Sequence, residues 1–294
     1  MRIGISAYDI DARDLVELAA AADELGFESL WLGEHIVLPI GYRSGHPTSG
    51  SGDHELHDRP IVDPATQLVD PLVALAGCAA RTRSILLATG IYLVPLRPPV
   101  VTARMAHTLQ TLAGGRFLLG AGAGWLEEEF AAVGVPFERR GERLEQSIEV
   151  IRTALAGGPF RHEERLLQLC EEPVTVPVIL GGNTERALRR AARLGDGWFA
   201  SGTPDLDDAR RCRDRLLALR DEAGRTGDFS VHVRIPAADP AVVDRYAAAG
   251  FDRVVVWADQ IWPAKGDLEL KRAALVDAAN RLGVHHHTER PGPN

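Results

Sequence analysis

The chain has 294 residues, 45% of them hydrophobic, with 29 glycines and 18 prolines, which is length enough for one large α/β barrel. A formal net charge of −8 argues against nucleic acid or an anionic membrane surface as a general partner. Cys78, Cys170 and Cys212 are isolated and odd in number, which suggests neither a disulfide scaffold nor a thiolate metal cage. No signal-peptide pattern is read at the amino terminus. The longest apolar stretch, residues 85–96, contains Thr, Gly and Pro and is too short to span a bilayer, so a cytoplasmic setting is expected.

Strand-like and helix-like runs alternate along the chain. Residues 2–7 read as a strand. From Asp11 to Gly26, Leu15, Leu18, Ala19, Ala22 and Leu25 recur at helical spacing. A second strand covers 29–33, a long polar stretch follows, and Asp70-Pro71 opens a helix, since Pro is favoured at the first helical position. Residues 84–91 form a third strand before a helix from Pro99, and 116–122 a fourth. Leu144, Ile148, Ile151 and Leu155 line a helix over 139–156. Strands follow at 176–180, 197–201, 229–235 and 251–257, with helices between them ending near Gly195, over 205–224 and over 239–249, and a last helix over 267–283. Eight strands, each followed by helix, predict a (β/α)8 TIM barrel over residues 1–284, with an open doubly wound sheet as the alternative. Residues 285–294 read as a frayed polar tail.

In such barrels chemistry sits at the carboxyl ends of the strands. That selects Gly33-Glu34-His35, Gly90-Ile91, Gly122 to Trp125, Gly181 to Thr184, Ser201 and Trp257. Gly181-Gly182-Asn183-Thr184 combines close backbone approach with a helix N-cap, a pattern that suits either a bound anion or a tight strand-to-helix turn. His46, Asp53, His54, His57 and Asp58 lie in a stretch that reads as a lid over the site rather than a metal centre, and no metal is expected.

Five segments in order carry a resemblance: WLGEH (31–35), LLATGIYLVPLRPPV (86–100), GGRFLLGAGAGWLEEEF (114–130), GVPFERRGERLEQSIEVIR (134–152) and PVILGGNTERALRRAARLGDGW (177–198). Together they resemble the luciferase-like monooxygenase family, and within it the coenzyme F420-dependent oxidoreductases. The resemblance implies a luciferase-like barrel and a cofactor phosphate held at Gly181, Gly182, Asn183 and Thr184. It implies a non-prolyl cis peptide at Gly90–Ile91 behind the ring, with Gly122, Ala123 and Gly124 passing close to it. His35 and Glu34 would be the catalytic pair facing substrate, His35 exchanging its proton; a structural histidine at a strand end is the alternative. Trp125 stands where sugar-phosphate dehydrogenases of the family carry Glu, which argues against sugar-phosphate oxidation and for an apolar or aromatic substrate wall. Arg97 would contact substrate or phosphate, or else form a surface ion pair. Glu127 to Glu129 read as a solvated helix start. The expected function is hydride transfer between F420 and a small organic substrate. The alternatives are an FMN-dependent monooxygenase using reduced flavin and O2, and a non-catalytic flavin- or deazaflavin-binding protein. A homodimer is expected by resemblance.

Overall fold

Side-chain parity along the strands determines the architecture. The computed structural model describes residues 1–40, 63–169 and 172–285. In β1 (Arg2–Ala7), Ile3, Ile5 and Ala7 join the large core shared with the helices, while Gly4 and Ser6 take the opposite parity. The same alternation runs through β2 (Ser29–Leu32), β3 (Leu86–Thr89), β5 (Phe117–Gly122), β8 (Val178–Gly181), β9 (Gly197–Phe199), β10 (Ser230–His232) and β11 (Arg253–Trp257). On the inner parity, Trp31, Ala88, Leu118, Ile179, Phe199 and Val255 form a separate buried cluster. Two hydrophobic layers back to back, one outside the strands and one enclosed by them, are what a closed ring of parallel strands requires.

The ring runs β1–β2–β3–β5–β8–β9–β10–β11, every pairing parallel, and β11 returns to β1 over five register pairs. Closure between β10 and β11 is thinner. It consists of one bridge, Arg234 with Val255, flanked by Val255 N–H to Val233 O at 2.8 Å and Ile235 N–H to Val255 O at 2.9 Å. Pro236 follows at once and cannot extend the ladder as a donor.

The outer layer holds α1 (Ala12–Leu25), α2 (Pro71–Arg81), α3 (Pro99–Leu112), α5 (Arg140–Leu155), α6 (Glu185–Leu194), α7 (Leu206–Glu222), α8 (Pro240–Ala248) and α9 (Leu268–Leu282). Asp11, Asp70, Thr184, Asp205, Asp239 and Asp267 cap six of them, each accepting from an amide of its first turn. Such a cap contributes about 1 kcal/mol. Buried Asp23 accepts from the amides of Arg83, Ser84 and Ile85 and so fixes the approach to β3.

The barrel reading therefore holds, with local differences. The third strand stops at Thr89, and after Gly90-Ile91 the chain resumes as β4 (Tyr92–Leu93), pairing with β5. An antiparallel hairpin, β6 (Pro159–His162) with β7 (Arg165–Gln168), follows α5 where no strand was expected. A short helix, α4 (Glu127–Ala132), follows β5. The lid expected around His46, Asp53, His54, His57 and Asp58 lies outside the described residues, as do Cys170 and residues 286–294. Among the described residues no helix is long and apolar enough to cross a membrane.

Candidate active site

At the carboxyl end of the barrel the inner parity brings together Ser6, Gly33, Gly90, Gly122, Gly181, Ser201, Arg234 and Trp257. The four glycines stand at the ends of four successive strands, Gly33 just after β2, Gly90 just after β3, Gly122 closing β5 and Gly181 closing β8, and make one wall of the mouth. The Gly90–Ile91 peptide is cis. A Cβ on Gly122 would stand 2.1 Å from Ile91 Cδ1, and one on Gly181 2.6 Å from the same atom. Bare backbone at both positions makes room for the Ile91 side chain, so backbone and Ile91 together form a cradle into which a side chain at either glycine would force Ile91. Its lining of bare backbone and one aliphatic side chain would suit a flat ring.

The turn from β8 into α6 is the second part. Gly182 has φ 116°, a conformation side chains resist, and its Cβ would stand 2.7 Å from Ala187 Cβ. Thr184 Oγ1 accepts from Ala187 N–H at 3.3 Å. The Asn183 side chain is engaged with β9: its Nδ2 donates to Ser201 O at 2.9 Å and its Oδ1 accepts from Ser201 N–H at 2.8 Å. The side chains of Asn183 and Thr184 thus shape the turn. With the Ala187 amide taken by Thr184, the amides of Glu185 and Arg186 at the start of α6 have no intrahelical acceptor, the arrangement by which a helix N-terminus would hold an anion.

The third part is a pair of buried carboxyls with opposite tasks. Glu129 is fully buried and accepts from the Ile36 amide, while its Oε2 stands 3.0 Å from His35 Nδ1. This overturns its reading as part of a solvated helix start. α4 packs the fully buried Phe130 inward, and Glu129, next to it, goes inward as well. Glu34 points elsewhere. One oxygen pairs with Arg97 at 2.5 Å and the other accepts from Leu93 N–H at 3.1 Å. Burial pushes the Glu34 carboxyl up to about 7, against the downward pull of Arg97. Arg97, its side chain 18% exposed, also stands 3.7 Å from Asp70 and lies over the Tyr92 ring at 4.3 Å. It forms an interior ion pair that braces β4, not the surface pair considered from sequence. Sequence neighbours Glu34 and His35 are therefore split: the carboxyl touching His35 is Glu129.

Trp125 meets His35 edge to face at 5.9 Å, and Tyr8 meets it from another side at 6.3 Å. The Tyr8 hydroxyl is buried with no hydrogen-bond partner among the described residues, and burial drives its ionisation above the ordinary tyrosine range. Ala123 packs against the main core, and Gly124 O accepts from Arg140 Nε–H at 2.9 Å.

The sequence profile of the luciferase-like monooxygenase family matches residues 2–289. The chain belongs to this family. An uncharacterized protein of Mycobacterium tuberculosis (strain ATCC 25618 / H37Rv) is 31% identical over 239 residues, 79% of this chain and 80% of that one. The F420-dependent glucose-6-phosphate dehydrogenase of Amycolatopsis mediterranei (strain U-32) is 28% identical over 77% of this chain and 63% of its own length. In fold, the chain is similar to monooxygenase RslO1 from Streptomyces bottropensis, with TM-score 0.72, 18% identity and coverage of 96% of this chain and 98% of that one. This luciferase-like chain is an oxidoreductase, and the family includes both F420-dependent and flavin-dependent members.

For a luciferase-like barrel, the mouth described here joins most of the residues picked out from sequence: His35, Gly90, Ile91, Gly122 and Gly181 on the barrel ends, Trp125 beside His35, and Gly182, Asn183 and Thr184 in the turn that follows. Glu34 and Arg97 stand behind this surface as a brace. Sequence reasoning missed Tyr8, Glu129 and Arg234. A readable signal existed for Arg234. In SVHVRI (230–235) Val231, Val233 and Ile235 share one parity, so His232 and Arg234 must take the inner one.

Proposed function

We propose that this chain is an F420-dependent oxidoreductase that transfers a hydride between the deazaflavin and a small organic substrate. The observation that carries the reading is the His35–Glu129 pair at the mouth, beside the glycine-walled cradle. The backbone of Gly181, Gly182 and the first turn of α6 would hold the phosphate, and Gly90, Ile91 and Gly122 to Gly124 would support the ring. When bound, the deazaflavin supplies the hydride acceptor or donor. Glu129 accepts at Nδ1 of His35 and so fixes the ring orientation, leaving Nε2 to take or return the proton of a substrate hydroxyl. Trp125 and Tyr8 wall the space beside His35. Glu34 and Arg97 hold β4 in register rather than exchanging protons.

An FMN-dependent monooxygenase is the second reading, favoured by the family's name and by the likeness in fold to a monooxygenase. Fluorescence titration with F420 and with FMN separates the two. Tight F420 binding with weaker FMN binding is expected, and tight FMN binding with no F420 binding would move the assignment to the monooxygenase. By family resemblance the reading also includes a cytoplasmic homodimer, which light scattering checks for the oligomeric part.

A further inference from the structure

Arg234 follows the last residue pair of β10, and on the ring of eight strands β10 and β3 are four places apart in either direction, diametrically opposite. Its side chain nevertheless crosses to β3, where Nη2 donates to Gly90 O at 2.9 Å, and touches β1, where Nε donates to Ser6 Oγ at 3.0 Å. A group that spans the barrel in this way stands near its axis. Phe199 and Trp257 flank it, each ring centroid 4.3 Å from Cζ. Arg234 is only 6% exposed. Below it His232, Trp31 and Phe199 fill the barrel with packed rings. The guanidinium, a five-donor cation, is therefore the floor of the mouth at its centre. A planar ligand resting on the wall at Gly90 would have this guanidinium beside it.

We infer that Arg234 is a cofactor-facing residue that stabilises the negative charge a flavin-type ring acquires on reduction. The inference rests on the reading that such a ring occupies the mouth. In the oxidation of an alcohol, the substrate carbon gives up a hydride and the hydroxyl oxygen gives its proton to His35. The C–H and O–H bonds break and a carbonyl forms. A bound flavin-type ring would supply the acceptor for that hydride and both its electrons, which would add one unit of negative charge. A fixed cation in a water-poor site favours that product over the oxidised ring. Its aromatic flanks and its hydrogen bonds to Ser6 and Gly90 hold it in place before the ring arrives, so no reorganisation is needed when the charge develops. The sites of the two charges differ in role: His35 handles the proton, and Arg234 handles the electron pair.

The test is the reduction potential of protein-bound F420, with FMN in parallel, measured by spectroscopic equilibration against a reference dye. Wild type is expected to bind the reduced form at least about tenfold more tightly than the oxidised one, a rise of about 30 mV over the free two-electron couple. Arg234→Met should abolish that preference, and Arg234→Lys should keep part of it. A purely structural Arg234 would weaken both affinities equally and leave their ratio unchanged, which would overturn the inference. If Arg234→Met does not fold, wild type decides alone: a bound potential at or below the free value refutes the role. Failure of wild type to bind either cofactor would overturn the functional reading and the inference together, whereas binding without the redox preference overturns the inference only.

Discussion

Gly122→Ala puts the glycine-wall argument at risk with a single methyl group. The new Cβ would stand 2.1 Å from Ile91 Cδ1 and 3.2 Å from Cγ1, where ordinary carbon contacts lie at about 3.5–4.0 Å. Ile91 cannot escape toward β8, because Gly181 already lies against the same Cδ1, within 2.6 Å of where its own Cβ would be. The side chain must therefore turn outward, toward the mouth. Leaving its rotamer costs about 0.5–1.5 kcal/mol and local overpacking brings the total to about 1–3 kcal/mol. Against a typical stability of about 5–15 kcal/mol the variant still folds, with a midpoint lowered by about 2–4 °C per kcal/mol. Cofactor affinity should fall much further, about tenfold or more, because the displaced isoleucine occupies the cradle. Thermal unfolding by circular dichroism and fluorescence titration measure the two effects on the same sample. Adding Ile91→Ala should return most of the lost stability by removing the colliding atom. A folded Gly122→Ala protein that binds F420 or FMN as wild type does would refute the cradle.

Two further outcomes follow from the buried carboxyls. Glu34 titrates at about 7 in the fold against an ordinary 4.5, so the native state binds more protons than the unfolded chain between those values. Its contribution is present in full below about pH 4.5 and is lost as pH rises through about 7, a change of about 3 kcal/mol at 1.36 kcal/mol per unit. In urea titrations at pH 5 and pH 8, Glu34→Gln should therefore gain on wild type at the higher pH, and a constant difference would contradict the assignment. At Glu129, Leu strips the acceptor from both the Ile36 amide and His35 Nδ1, while Gln keeps one acceptor oxygen. The stability loss should be about 2–4 kcal/mol for Leu and smaller for Gln, and the reverse ranking would count against the pairing.

The elements of the barrel were legible because their signals are local and periodic. The spacing of Leu15, Leu18, Ala19 and Ala22 encodes α1, and Asp70-Pro71 announces α2 by cap and proline alone. The glycine positions were legible too, since strand ends in a barrel share one face. The partner of His35 was not. His35 is separated from Glu129 by 94 residues, and a run of three glutamates reads as solvent-exposed until the burial of Phe130 fixes the helix phase. Glu34 misled for the same reason: adjacency in sequence says nothing of which way two successive side chains turn after a strand ends. The β6–β7 hairpin escaped because Arg161, His162 and Arg165 blur the apolar alternation that marks a strand.

The single bridge that closes the ring has a consequence for motion. Five register pairs join β11 to β1, but β11 meets the β10 side only around Val255. If the ring parts anywhere, it parts at this seam, turning a strand ring into an open sheet with two bare edges. Arg234 belongs to the seam and also laces it to Ser6 on β1 and to Gly90 across the barrel. The side chain beneath the mouth is thus the same one that ties the seam shut. A ligand that holds it in place must slow the opening of the seam, and any excursion of the seam must loosen the ligand, so occupancy and breathing are two readings of one equilibrium.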